Sequence, residues 1–151
     1  MSYYDVDKLS PAPSTHTPAQ PGYGSVSEYM VAPLPWCTGS VASSITAVHE
    51  YEFPFVTSHV TVRNHSTGGG IRVGFTRNGV TGSGGSNYFL IDAVVGAQLD
   101  IDVRVSSIYI LGTGGSSTYS IFAGLTAIPA KFAPVLTGSV SGTNGSWQGI
   151  G

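Results

Sequence analysis

Charge is scarce in this chain. Asp, Glu, Lys and Arg together make up 9% of its 151 residues, against about 25% in an ordinary soluble domain. The six basic residues, Lys8, Arg63, Arg72, Arg77, Arg104 and Lys131, are scattered, and the formal charge is −2. Holding a phosphate backbone takes clustered Lys and Arg, so no nucleic-acid partner is expected. Cysteine is nearly absent as well. Cys37 stands alone, which excludes an intrachain disulfide, and beside Trp36 it reads as a small buried hydrophobe. No apolar run approaches the ~20 residues of a membrane-spanning helix, so no membrane span is expected. The N-terminal MSYYDVDKLSPAP has neither a basic n-region nor an apolar h-region, so a protein made in a cytosol without a signal peptide is expected.

Reactive signatures are missing too. There is no G-x-S-x-G elbow for a nucleophilic serine. The glycine-rich stretches GGG (68–70), GSGGS (82–86) and GTGGSS (112–117) lack the G-K-[ST] ending that would cradle a phosphate, and read as turns. The expectation is a protein that is not an enzyme, with no catalytic, cofactor-binding or metal residues and no cofactor.

What the chain does have is short alternating runs. Ser44–Glu52 (SITAVHEYE) puts Ile45, Ala47, His49 and Tyr51 on one face and Thr46, Val48, Glu50 and Glu52 on the other. Phe53-Pro54-Phe55 makes a corner. Thr57–Asn64 sets Val60 and Val62 against His59, Thr61 and Arg63, and Gly70–Arg77 turns Ile71, Val73 and Phe75 inward. Asn87–Asp92, Leu99–Val103, Ile108–Leu111 and Thr118–Ile128 follow. Period-two alternation marks half-buried strands, and no segment keeps a 3.6-residue period. Asn78-Gly79 suits a tight turn, with the TGSGGS that follows read as a longer mobile loop. Seven or eight strands at non-hairpin spacing predict an all-β antiparallel β-sandwich, a single jelly roll, over 41–128. Residues 1–40 read as an extended Pro-rich arm, in which Pro33 and Pro35 make 25–41 an edge segment or docking strap. Residues 129–151 read as an irregular C-terminal tail with Trp147 as an anchor.

The polar residues offer few candidates for chemistry. His49 and His59 lie at mirror positions about Pro54 and could face each other across two strands, but a metal site needs three or four ligands. Glu50 and Glu52 should point away from His49, His65 sits in a turn and His16 in the arm. Packed or interfacial histidines are the simpler reading. Asp100 and Asp102 share one strand face, whereas a glycosidase needs carboxylates across a substrate. They read as a solvated face paired with Arg104. Asn64-His65-Ser66 and Asn144-Gly145-Ser146 match the glycosylation pattern but mean little without a secretory signal.

The runs HVTVRNHSTGGGIRVGFTRNGV, NYFLI, LDIDVRVSSIYIL and YSIFAGLTAIP, within 57–129, resemble the single jelly-roll penton (vertex) capsid proteins of large icosahedral double-stranded DNA viruses. The resemblance lies in strand order and apolar pattern. It implies a structural virion protein, a homo-oligomer of five copies plugging each capsid vertex. It also implies arms that bind neighbouring major and minor capsid proteins, and a protein made in the host cytoplasm and located in the virion capsid. Two other readings stay open. A trimeric receptor- or glycan-binding head, adhesin- or cytokine-like, would use loops 64–70, 78–86 and 112–117. A carbohydrate-binding module would need exposed aromatics on one sheet face, with Tyr88, Tyr109 and Tyr119 as candidates.

Overall fold

The computed structural model describes residues 21–82, 86–115 and 117–134, and among them it has nine strands. They are β1 (Leu34–Cys37), β2 (Val41–Ala42), β3 (His49–Glu52), β4 (Phe55–Asn64), β5 (Ile71–Gly74), β6 (Phe89–Ile91), β7 (Gln98–Ile101), β8 (Ser107–Gly112) and β9 (Thr118–Pro129). Two one-turn helices, α1 (Val26–Met30) and α2 (Arg77–Thr81), and a 3-10 turn at Ala130–Phe132 complete the set. The expectations for His16, Asn144 and Trp147 fall outside the described residues.

The strands form two antiparallel sheets. The larger runs β1-β9-β4-β7, with β2 also on β9, and the smaller runs β3-β8-β5-β6. The protein is thus an all-β sandwich. Because β1 and β2 both pair with β9, they act as one interrupted strand. The ladders then nest: β1/β2 with β9, β3 with β8, β4 with β7 and β5 with β6. The ladders β4·β9 and β5·β8 join these pairs into sheets.

The inward residues close one core between the sheets. Val60 and Val62 of β4 and Tyr119, Ile121, Ala123 and Leu125 of β9 meet Ile71 and Val73 of β5 and Ile108 and Ile110 of β8. Each such aliphatic side chain stabilises the fold by about 1.5–3 kcal/mol relative to exposure. The edge role read from Pro33 and Pro35 is also found, since β1 is the outermost strand of its sheet. There a missing ladder donor faces no neighbour.

Three local expectations are corrected. The strand at 44–52 begins only at His49. The Ser44 Oγ accepts from the N–H groups of Thr46 and Ala47, which turns the chain there and leaves Ile45 exposed. Asn78-Gly79 is inside α2 rather than a tight turn. Thr76 caps that helix by accepting from Gly79 N at 3.0 Å, Val80 is buried beneath it, and Gly82 ends it at φ 80°. Cys37 is exposed, not buried. Strand alternation turns Trp36 inward instead, where its ring packs edge-on against Phe53 at 4.9 Å and Tyr51 at 6.0 Å.

Candidate functional site: a groove beneath an N-terminal strap

The segment before β1 buries none of its helix, so its attachment comes from specific contacts. The Tyr23 hydroxyl donates to the Arg104 carbonyl at 2.9 Å, and the Tyr29 hydroxyl donates to the Tyr23 carbonyl at 2.8 Å. The Arg104 guanidinium lies 4.1 Å from the Tyr29 ring centre, a cation–π contact. Glu28 accepts from Ala127 N at 3.3 Å. Pro33 lies so close to β9 that a Cβ placed on Gly124 would sit 2.8 Å from its ring. Partial burial raises the Tyr29 phenol above its ordinary pKa, against the opposing pull of Arg104.

Between this strap and the outer face of the larger sheet runs a groove of about 590 Å³. One wall is Tyr29 to Pro33; the other is Ser58, His59, Asp102, Val103 and Arg104. The β4–β7 register pairs Val60 with Ile101 and Thr61 with Asp100, which carries His59 opposite Asp102. His59 Nδ1 is 2.9 Å from Asp102 Oδ1, and Nε2 is 3.0 Å from Thr61 Oγ1. The Thr61 hydroxyl donates to one Asp100 oxygen and the Gln98 amide to the other. The Thr61 hydrogen bond is the main cause of an Asp100 pKa below its ordinary value, against some desolvation and aided by Gln98 and His59. Asp102, His59 and Thr61 outline a relay. Its hydroxyl, however, gives its proton to Asp100, so the geometry orients side chains rather than freeing a nucleophile.

The two acids do lie on an exposed face, but their expected pairing with Arg104 is corrected: Asp102 bonds His59, Asp100 bonds Thr61 and Gln98, and Arg104 stacks on Tyr29. The two histidines do not face each other either. The Phe53–Phe55 corner carries the chain from one sheet to the other, so β3 and β4 are not ladder partners. His49 points into the sandwich, its Nδ1 2.6 Å from the Tyr119 hydroxyl, which is 2.8 Å from that of Tyr51. Among the described residues no group of three or more His, Cys, Asp or Glu could hold a metal ion.

The aromatic candidates are likewise dispersed. Tyr119 is fully buried. Tyr109 donates to Glu50 at 2.6 Å, and Tyr88 lies under the Arg72 guanidinium at 4.6 Å. Burial raises the Tyr109 pKa, and Glu50 adds to the effect.

Sequence reasoning missed Asn64 as a structural hub. Its buried amide nitrogen donates to the carbonyls of Gly69 and Asp92, and its oxygen accepts from Ser66 N. Asn64 thereby joins the β4–β5 and β6–β7 connections. The Ser117 hydroxyl ties the β8–β9 connection to Gly69 as well. The only sequence signal was an Asn closing a strand before a Gly-rich turn. The strap groove was not legible beyond the edge reading of 25–41. A further uncovered feature is the outer edge of the smaller sheet, where Phe89 and Leu90 of β6, and Val94 and Val95 after it, are exposed.

Among the described residues no helix is long and apolar enough to cross a membrane. No protein-family model matches the chain, and comparison with curated proteins finds no relative.

Proposed function

We propose that this chain is a structural shell protein, a jelly roll that closes with four further copies into a ring at the vertex of an icosahedral capsid. Its N-terminal arm binds the neighbouring capsid proteins. The nested strand pairing carries this reading. First with last, second with next-to-last and so inward is what rolling up one long hairpin produces, and such jelly rolls recur in capsid domains. Three features support it. The strap at 21–33 is attached by discrete polar contacts rather than by a core of its own. The β6 edge leaves Phe89 and Leu90 uncovered, and an exposed apolar edge is a place for another chain. Charge is sparse over the whole chain, as suits surfaces that meet other protein.

Electron microscopy of the native assembly tests the proposal. Five-fold rings are expected. Three-fold particles would overturn it in favour of a receptor- or glycan-binding head, and a chain that stays monomeric at micromolar concentration would remove the assembly role altogether.

A further inference from the structure

The strap groove has an unused cation at its rim. Arg104 is exposed, its carbonyl is taken by Tyr23, and its guanidinium stacks on Tyr29. No hydrogen bond leaves that guanidinium among the described residues. A stacked guanidinium is oriented in advance, and its planar fork suits a carboxylate. The facing wall is apolar: Met30 and Val31 are 81% and 61% exposed, and Pro33 continues them. The ligand that fits is a short peptide with a carboxylate beside bulky apolar groups. This chain contains one, Tyr3-Tyr4-Asp5-Val6-Asp7, among the residues outside the described structure.

We propose that residues 3–7 of a neighbouring copy dock in this groove, with Asp5 or Asp7 on Arg104 and the tyrosines against Met30, Val31 and Pro33. The connection is long enough. From Asp7 to Tyr23 a Pro-rich extended chain spans roughly 50 Å at about 3.1 Å per residue. A four-stranded sheet is only about 15–20 Å wide, so a leader of that length suffices to reach a neighbouring sandwich. Tethering also raises the local concentration of the segment to about the millimolar range, so a weak contact suffices. The inference rests on the ring reading and names what one arm would hold.

The test uses the full-length chain with Cys37→Ser, Tyr4→Cys and Val31→Cys, treated with a short bis-maleimide. Covalent products are sized on a denaturing gel and assembly is followed separately by mass photometry. Linkage between chains is expected, rising to a ladder of multimers in the assembled fraction. Assembly with no linkage, or linkage only at monomer mobility, overturns the docking and leaves the ring reading standing. Linkage between chains without closed rings supports the docking and overturns the ring. A second set guards against a perturbed cysteine variant. Arg104→Glu, and Asp5→Lys with Asp7→Lys, should each reduce inter-chain linkage at least tenfold, and the combination should restore it. Unchanged linkage in either would overturn the charge pairing. The Arg104 side chain is exposed, and an unaltered circular dichroism spectrum confirms the fold.

Discussion

The Tyr119 hydroxyl lies 2.6 Å from His49 Nδ1, inside the sandwich, and 2.8 Å from the Tyr51 hydroxyl. One fully buried phenol thus links the long strand β9 of the larger sheet to β3 at the edge of the smaller one. A polar link of this kind fixes how two otherwise apolar faces register, because sliding either sheet would leave buried groups unpaired.

Burial, and after it the Tyr51 hydrogen bond, raises the Tyr119 pKa far above the ordinary tyrosine value. The unfolded chain ionises near pH 10, so above that pH it holds fewer protons than the folded chain, and stability falls as pH rises. The contribution is fully present below about pH 10. Urea unfolding from pH 8 to 11.5 should show a declining alkaline limb. Tyr119→Phe should flatten that limb while lowering stability at pH 7 by about 1–3 kcal/mol, because His49 and Tyr51 lose their partner. Tyr29 and Tyr109, whose pKa values are raised less strongly, keep a residual slope. An unchanged alkaline limb in the Phe variant would assign the effect elsewhere.

Asn64→Ala should cost about 2–4 kcal/mol in chemical denaturation, since three buried or part-buried groups lose a partner at roughly 1–3 kcal/mol each, without full additivity. The groups are the Gly69 and Asp92 carbonyls and the Ser66 N–H. Hydrogen exchange should quicken at Ser66, Gly96 and Ala97 before it does in β8, because the amide joins those two connections. Uniform quickening across both sheets would mean that Asn64 acts on the whole core rather than on the loop end.

The faces of β4, β5 and β8 were readable because period two is a local property. Val60, Val62, Ile71, Val73, Ile108 and Ile110 are buried as the alternation requires. Non-local register was not readable. His49 and His59 look symmetric about Pro54 in sequence, yet the corner passes between sheets and sends one inward and the other to the outer face. His59 meets Asp102 only because Thr61 pairs with Asp100, a fact that resides in the ladder and not in either segment. Asn78-Gly79 misled for a related reason: the Thr76 cap and the burial of Val80 decide that turn, and both lie outside the dipeptide. At the strap, Pro33 and Pro35 declared the edge, but nothing in the spacing declared that Tyr23 and Tyr29 would anchor on Arg104.

Thr61→Val tests the electrostatics of the groove wall. The Thr61 hydroxyl is the leading cause of the low Asp100 pKa, so its removal should move that carboxyl back up toward the ordinary carboxylate range in a carbon-detected NMR titration. The sign for stability follows. A depressed folded pKa contributes above the ordinary value near pH 4 and is lost as pH falls through the lower folded one. The variant should therefore lose part of the acid limb that lies below about pH 4 and show little change at alkaline pH. An Asp100 titration that does not move would give Gln98 and His59 the leading role.

Gly124→Ala separates the strap from the sandwich. The new Cβ would meet Pro33 Cγ at 2.8 Å and Cβ at 2.9 Å, a ring that cannot rotate away. Position 124 lies on β9 opposite His59, with its carbonyl bonded to Ser58 at 3.2 Å. Relief therefore comes more easily from lifting residues 29–33 than from shifting the paired strand. Overpacking of this kind costs about 1–3 kcal/mol, which favours detachment of the strap by roughly five- to a hundredfold at about 1.4 kcal/mol per tenfold. Limited proteolysis should cut within 23–33 faster by a factor in that range, while the unfolding midpoint of the sandwich moves little, because the core side chains are untouched. If the arm holds neighbours as proposed, the same variant should assemble poorly although it is folded. Full assembly together with rapid cleavage would show that the groove can open without consequence, and the arm's binding role would have to be sought elsewhere in the chain.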